Sequence, residues 1–361
     1  MDKYTVNHQY FGHTLFREGQ EQLIDSILAR QDSFGIMPTG GGKSVCYQIP
    51  ALLLPGLTLV ISPLISLMKD QVSALHDTGI SAAYWNSSMD LQEFQWVRDG
   101  VRAGEYKLLY IAPERLDNDA FLALMQTQEV SLVAVDEAHC VSQWGQDFRP
   151  SYLKIADFVA ALPKRPVVAA FTATATEEVR EDIIRCLRLE KPNILVTGFD
   201  RPNLHFSVQS HKDKSAALLN LVREHSDRCG IVYCATRSKV EQLCDMLNHA
   251  GIPATRYHAG LSDEERRANQ DEFQFDRKSV MVATNAFGMG IDKSNVSFVI
   301  HYNMPKSLEA YYQEAGRAGR DGMPADCILL YSGGDVVTAR HLIDHSGDTA
   351  GLSGAARAAV R

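Results

Sequence analysis

Short runs of apolar residues recur along the chain, and polar stretches with helical spacing separate them. In the first half these runs are Phe34–Met37, Thr58–Ser62, Leu108–Ala112, Leu132–Asp136 and Val167–Thr172. In the second half they are Gly230–Cys234, Ala254–His258, Val280–Thr284, Phe298–Tyr302 and Cys327–Tyr331. Runs that are apolar throughout predict strands covered on both faces, as in a parallel sheet.

Helical patterns lie between these runs, for example at Gln20–Ala29, Ser66–Leu75, Lys239–Ala250 and Asp263–Phe273. Alternation of strands and helices predicts the α/β class with a parallel sheet. The alternation occurs twice, so we expect two tandem α/β domains, residues 1–199 and 200–344, with a boundary in the Gly- and Pro-containing segment Thr197–Asn203. Residues 345–361 are mostly small and are predicted to form a disordered, low-complexity tail.

Composition narrows the class of protein. The 361 residues fit roughly two domains of about 150 residues each. Apolar residues make up 45% and charged residues 22%, but no apolar run approaches the ~18 residues of a membrane span, and the polar start is not a signal peptide. The seven cysteines are scattered without a CxxC pair, which predicts reduced thiols in a cytoplasmic compartment and no zinc site.

The net charge of −8 provides no overall basic field for nucleic acid, although a local basic groove is compatible with it.

A glycine-rich segment, MPTGGGKS at 37–44, follows a predicted strand and precedes a helical pattern. Its glycines would let successive backbone N–H groups face phosphate oxygens, Lys43 would neutralise phosphate charge, and the Ser44 hydroxyl can ligate Mg²⁺. Met37 stands where the strict G-x-x-x-x-G-K-[ST] pattern has glycine. A simple Gly-rich turn is the alternative, but the strand–helix junction favours a phosphate site.

A second segment, LVAVDEAH at 132–139, ends an apolar strand in two adjacent carboxylates. The carboxyl end of a strand in an open α/β sheet is where ligands bind. Asp136 can therefore hold Mg²⁺ while Glu137 polarises an attacking water. Alone, this segment could be an exposed turn with a capping Asp; beside the glycine loop it predicts nucleotide hydrolysis.

The third segment is QEAGRAGRDG at 313–322. Arg317 and Arg320 are three residues apart and would share one face of a helix, either as a solvated basic helix end or as charges that stabilise the γ-phosphate in the transition state.

These segments, with TATAT at 172–176, resemble helicases with two RecA-like domains. FREGQ (16–20), SPLISLMKDQ (62–71), APERL (112–116), CVSQWGQDFRP (140–150), FDRPN (199–203), YHAGL (257–261) and ATNAFGMGIDK (283–293) are similar to the RecQ family of DNA helicases. The resemblance covers residues 10–340. It implies two RecA-like domains with the nucleotide in the cleft between them, ATP and Mg²⁺ as cofactors, and 3′ to 5′ movement on single-stranded DNA in recombination and repair.

The resemblance also implies roles for individual residues. Gln20 would read the adenine edge with Arg17 near the base, and His13 stands where the family usually has a stacking tyrosine. Asp292 would approach the ribose, His139 would link hydrolysis to DNA binding, and Arg320 would be the arginine finger, supported by Arg317. The phosphates and metal would be held by the loop residues Thr39, Gly40, Gly41, Gly42, Lys43 and Ser44.

The segment Cys140–Pro150 bears on the choice of nucleic acid. Its Gln143, Trp144, Phe148 and Arg149 combine aromatic rings with an arginine, which suits stacking on unpaired bases and contact with a phosphate. The alternative is that the two rings fill a core, and the RecQ resemblance favours single-stranded DNA.

We expect a monomer that acts on single-stranded and partially duplex DNA, without a membrane, and without the zinc-binding and winged-helix regions that RecQ relatives usually carry. An RNA helicase and an ATP-binding clamp without turnover are the remaining alternatives.

Overall fold

The computed structural model separates into two compact units, Met1–Phe199 and Asp200–Arg361. It describes residues 1–63, 65–86, 89–145, 148–198, 200–288 and 293–336. Asp292 and the predicted tail at 345–361 lie outside the described residues.

The first unit is built on a seven-stranded sheet in which all recorded strand pairs are parallel. Its strands are β1 (Ser33–Ile36), β2 (Leu57–Ile61), β3 (Ala82–Trp85), β4 (Leu108–Ile111), β5 (Val130–Val135), β6 (Val167–Thr172) and β7 (Asn193–Val196). Their order across the sheet is β3-β4-β2-β5-β6-β1-β7. The helices are α1 (Lys3–Phe11), α2 (Gln20–Leu28), α3 (Lys43–Leu53), α4 (Ile65–Asp77), α5 (Leu91–Ala103), α6 (Asp119–Met125), α7 (Ile155–Ala161) and α8 (Glu177–Cys186).

The second unit has a six-stranded sheet with the order β10-β11-β9-β12-β13-β8, again with parallel pairs. Its strands are β8 (Leu204–Ser210), β9 (Cys229–Tyr233), β10 (Ala254–Tyr257), β11 (Val280–Ala283), β12 (Val296–His301) and β13 (Ala325–Tyr331). The helices are α9 (Lys214–Glu224), α10 (Arg237–His249), α11 (Asp263–Gln274) and α12 (Leu308–Ala315). The two parallel sheets confirm the predicted α/β class.

Three strands were not predicted from the apolar runs, namely β3, β7 and β8. Each of them lies at an edge of its sheet. Exposed and partly buried positions alternate in β7 and, from Phe206 onward, in β8, so neither strand has the continuous apolar run of a strand covered on both faces. The interior strands β1, β2, β5 and β6 are buried at every position, which is why their runs were visible in the sequence.

Local chemistry sets the helix boundaries. The helix α11 begins at Asp263, as predicted, because the Ser262 hydroxyl accepts the Glu265 N–H while the Glu265 carboxylate accepts the Ser262 N–H. Asp90 and Glu93 form the same reciprocal cap on α5. These caps satisfy backbone donors that the first turn of a helix leaves unpaired.

Apolar clusters cover both faces of each sheet and hold the strands in place. In the first unit β5, β6 and β1 are neighbours, so their carboxyl ends form one continuous edge. The glycine-rich loop follows β1, the two carboxylates follow β5, and Thr172 ends β6. The strand order therefore brings three separate segments of the sequence to a single place.

Within the part of the chain that the structure describes, no helix combines the length and apolar character needed to cross a bilayer. All seven cysteines lie among the described residues and are free thiols.

Candidate active site

The loop between β1 and α3 has a conformation that requires glycine. Gly40 and Gly42 have φ angles of 79° and 78°. A Cβ on Gly42 would be strained by this backbone conformation and would come within 2.3 Å of Gln20 Nε2, so the Gln20 amide would have to move. Gly42 is also the N-cap of α3, with no side-chain cap. The first N–H groups of the helix therefore face the loop and form a site suited to phosphate oxygens.

Lys43 extends along the inner side of this loop. Its Nζ donates to the backbone oxygens of Met37, at 3.2 Å, and Pro38, at 3.5 Å. Burial raises the pKa of Tyr47, one turn along the helix from Ser44, and the Ser44 side chain opposes that shift, so the two hydroxyl groups lie near each other. The predicted phosphate-binding residues Thr39 to Ser44 thus lie together at the start of α3, and the ammonium group adds a positive charge there.

Gln20, the first residue of α2, is buried against the same loop. Its Oε1 accepts the Arg17 N–H at 2.8 Å, and its Nε2 donates to the Gly42 oxygen at 3.1 Å. The Arg17 guanidinium donates to the Gly40 oxygen. His13 is exposed in the segment that precedes α2. Gln20 and Arg17 therefore hold the loop backbone directly, an arrangement the sequence did not predict.

The two carboxylates lie where β5 ends. Asp136 is 9% exposed, and its Oδ1 accepts the Glu137 N–H at 3.0 Å. Glu137 has a φ of 48°, a left-handed conformation that costs a non-glycine residue roughly 1–3 kcal/mol. Its Oε2 is buried and has no hydrogen-bond partner among the described residues. The turn therefore holds two carboxylates at the sheet edge, with Glu137 Oε2 lying 3.3 Å from His139 Nδ1.

The environment of Asp136 fits a divalent cation. Burial raises the pKa of Asp136, the charge of Glu137 raises it further, and the Lys43 ammonium lowers it. Lys43 of the glycine loop is thus near enough to Asp136 for their charges to interact. Paired carboxylates and the Ser44 hydroxyl supply the hard oxygen ligands that Mg²⁺ prefers. The residues present fit the metal that the sequence predicted.

His139 joins the carboxylate turn to β6. Its Nδ1 lies 2.9 Å from Thr172 Oγ1 and 3.3 Å from Glu137 Oε2. The Thr172 hydroxyl donates its one hydrogen to the Thr174 oxygen at 3.0 Å, so it accepts from the His139 Nδ1–H. His139 is 6% exposed, and this contact fixes the tautomer of its ring. The imidazole therefore connects the candidate catalytic carboxylate to the segment at 172–176.

Two residues of this site were given no individual role in the sequence analysis. Tyr152, which is fully buried, donates its hydroxyl hydrogen to the Asp136 backbone oxygen at 3.0 Å. A single tyrosine after Pro150 gives no signal that distinguishes it from a core residue. Thr172 entered the sequence analysis only as the first residue of TATAT; its place in the site could have been predicted, because it ends an apolar run that the parallel topology places beside the run ending at Asp136.

The aromatic segment projects from the same turn. Trp144 is 62% exposed, which contradicts the alternative that its ring fills a core. Gln143 is also exposed, whereas Phe148 and Arg149 are partly buried. Arg149 donates from Nη1 to the Pro63 backbone oxygen at 2.8 Å, so it ties this segment to the chain after β2. An exposed indole on an anchored turn is a surface on which an unpaired base can stack.

In the second unit, the prediction that Arg317 and Arg320 share a helix face is wrong. The helix α12 ends at Ala315, and both arginines lie in the turn that follows. Gly316 caps the helix in a right-handed conformation, and within the turn Gly319 has a φ of 58°, the left-handed region that favours glycine. Arg317 is 5% exposed, and Arg320 is partly buried. Burial raises the pKa of Tyr233 at the end of β9 and the charge of Arg317 opposes that shift, so the guanidinium lies near this hydroxyl, which donates to the Phe287 backbone oxygen at 2.8 Å.

Comparison with protein-family models assigns both units. A model described as DEAD/DEAH box helicase matches residues 17–183. A second model, described as helicase conserved C-terminal domain, matches residues 213–322. These two models include the glycine loop, the carboxylate turn and both arginines.

Curated relatives extend over nearly the whole chain. The ATP-dependent DNA helicase RecQ of Bacillus subtilis is 51% identical over 93% of this chain and 57% of its own length. The probable ATP-dependent DNA helicase RecS of the same organism is 40% identical over 95% of this chain and 69% of its own length. The chain thus spans little more than half the length of the first of these relatives.

Among solved structures, the Mycobacterium smegmatis helicase Lhr bound to ssDNA and AMP-PNP has a TM-score of 0.74 at 20% identity. That likeness covers 94% of this chain and 49% of the other, and at this identity it shows the fold alone.

Proposed function

Because the chain belongs to the RecQ family of DNA helicases, we propose that it hydrolyses ATP to move along single-stranded DNA and separate duplex strands. The observation that carries this proposal is the exposed Trp144 on a turn that begins directly after the candidate catalytic carboxylates. A surface for unpaired bases and a phosphate site are therefore built from one continuous segment of the chain. Movement from 3′ to 5′ and roles in recombination and repair, in the cytoplasm, are part of the same proposal.

The glycine loop is the proposed phosphate site. Its backbone N–H groups and the N-terminus of α3 would bind phosphate oxygens, and Lys43 would neutralise their charge. Gln20 and Arg17 would keep the loop in this conformation through their contacts with Gly42 and Gly40, and would face the base together with His13.

Ser44 and Asp136 are the proposed ligands of Mg²⁺, which when bound would neutralise charge on the phosphate oxygens. Glu137 would orient and polarise the attacking water through its carboxylate, which His139 holds in place from 3.3 Å. We assign Arg320, supported by Arg317, to the negative charge that develops on the γ-phosphate. These roles depend mainly on positioning and charge, which is what phosphoryl transfer requires from a protein.

DNA would bind through the aromatic segment. Stacking of a base on Trp144, with contacts from Gln143, Phe148 and Arg149, would move the turn that also carries His139 and Glu137. The His139 contact with Thr172 gives this movement a direct route to the hydrolysis site. The partners proposed on this basis are single-stranded and partially duplex DNA.

The test is steady-state ATP hydrolysis with Mg²⁺ in the absence of nucleic acid, with single-stranded DNA and with single-stranded RNA. Strong stimulation by DNA supports a DNA-dependent motor. A preference for RNA would favour an RNA helicase instead, and no turnover under any condition would indicate an ATP-binding clamp.

For Trp144→Ala we expect ATP hydrolysis without DNA to persist and stimulation by single-stranded DNA to fall. A stacked base contributes about 1–3 kcal/mol, so the DNA concentration for half-maximal stimulation should rise by roughly one order of magnitude. The measurement is a DNA titration of the ATPase rate. Trp96→Ala is a matched control, because Trp96 is 75% exposed on α5 of the same unit. Unchanged stimulation in Trp144→Ala would contradict the DNA-binding role.

A further inference from the structure

A buried hydrogen bond joins the aromatic turn to the helix α8. Ser142 donates from its hydroxyl to Asp182 Oδ2 at 2.9 Å. Ser142 is fully buried, and Asp182 is 9% exposed. A buried polar group that loses its hydrogen-bond partner lowers the stability of the fold around it. Replacing either Ser142 or Asp182 would therefore leave the other without this partner.

The same hydroxyl also shapes the turn that presents Trp144. The Trp144 N–H donates to Ser142 Oγ at 3.2 Å, and the Gly145 N–H donates to the Ser142 backbone oxygen at 3.0 Å. A Cβ on Gly145 would come within 2.2 Å of the His139 backbone oxygen, so the turn is closely packed on the residue that contacts Thr172. The position of the exposed indole therefore depends on Ser142.

The acceptor of this hydrogen bond, Asp182, lies on α8, a helix that begins beside the proposed hydrolysis site. The helix α8 starts at Glu177, directly after the segment 172–176, and Thr176 caps it by accepting the Val179 N–H. The helix packs against the short 3-10 helix Ala138–Val141, which follows the carboxylate turn. The two segments are thus linked twice, by His139 to Thr172 near the carboxylates and by Ser142 to Asp182 beneath the aromatic turn.

We propose that Asp182 is a positioning residue that holds the aromatic turn through Ser142 and thereby transmits occupation of Trp144 to the hydrolysis site. This inference rests on the proposed DNA-dependent ATPase. Asp182 contacts neither nucleotide nor DNA in this role, and its effect is confined to the response to DNA. The other partner of the carboxylate is Arg185, which is 75% exposed and contributes little to the position of the turn.

The experiment compares Asp182→Ala, Asp182→Asn and Ser142→Ala with the parent chain in a titration of ATPase activity with single-stranded DNA. We expect Asp182→Ala and Ser142→Ala to reduce maximal stimulation roughly tenfold, the scale of one lost hydrogen bond to a charged acceptor. The rate without DNA and the KM for ATP should not change. Asp182→Asn should restore most of the stimulation, because the amide oxygen can accept the same hydrogen bond.

Arg185→Ala is the matched control, since it removes the exposed partner of Asp182 and leaves Ser142 in place. Thermal unfolding identifies any variant that loses its fold. If Asp182→Ala does so, Ser142→Ala, which deletes only the buried hydroxyl of the same hydrogen bond, carries the comparison with Arg185→Ala. Parent-like stimulation in Asp182→Ala, a parallel fall of the DNA-free rate, or an equal effect of Arg185→Ala would overturn the proposal. If the parent itself is not stimulated by DNA, the proposed function fails, which is a separate result.

Discussion

Lys43→Ala should nearly abolish ATP hydrolysis, with kcat/KM for ATP lower by at least roughly 10³-fold, the upper range for loss of one preorganised transition-state donor. Lys43 places the ammonium group inside the glycine loop, where its charge also acts on Asp136. Its removal takes away positive charge from the phosphate site in both the ground state and the transition state. Nucleotide affinity should therefore fall together with turnover.

The measurement for Lys43→Ala is steady-state hydrolysis at saturating single-stranded DNA, accompanied by equilibrium binding of a fluorescent ATP analogue. Lys154→Ala is a suitable control, because Lys154 is about half-exposed and pairs with Asp117 on the surface of the same unit. Parent-like turnover in Lys43→Ala would remove the glycine loop from the proposed hydrolysis site. A large loss in Lys154→Ala would show that the assay responds to general destabilisation.

The fold was predictable where strands are buried on both faces, because such strands need continuous runs of apolar residues. Interior strands such as β5 and β6 are buried throughout, so their apolar runs are continuous and their ends mark the sheet edge. The edge strand β8 exposes Phe206 and Val208 and was missed for that reason. An edge strand pairs with only one neighbour and can remain partly exposed. The apolar content of its sequence therefore does not identify it as a strand.

The candidate site was predictable where chemistry requires particular residue types at short spacing. Lys43, Asp136 and Glu137 belong to this class, because phosphate and metal binding restrict them to a glycine-rich loop and a strand end. Residues that act through tertiary contacts could not be identified from the sequence. Tyr152 and Asp182 each meet the site through one hydrogen bond formed by chain segments that are distant in sequence. The conformation after α12 was mispredicted because the spacing of two arginines does not show where a helix ends.

Glu137→Gln should lower kcat for ATP by ~100-fold or more while leaving ATP binding near that of the parent, the scale typical of losing a general base. Glutamine keeps the shape of the side chain, and its amide oxygen can take the place of Oε2 beside the His139 Nδ1–H. The substitution removes the negative charge that raises the pKa of Asp136. The proposed metal-binding carboxylate is therefore more readily ionised in this variant, which preserves nucleotide binding.

A comparison of single-turnover hydrolysis with equilibrium binding of ATP separates these effects for Glu137→Gln. Glu129→Gln is the control, since Glu129 is an exposed carboxylate of the same unit. Equal losses of binding and turnover in Glu137→Gln would assign the residue to the structure of the turn rather than to the chemistry.

The left-handed φ of Glu137 allows a second test with glycine, because a strained residue kept only for structure would tolerate glycine without a loss of turnover. Glu137→Gly should instead lose turnover at least as severely as Glu137→Gln, because relief of strain cannot replace the carboxylate.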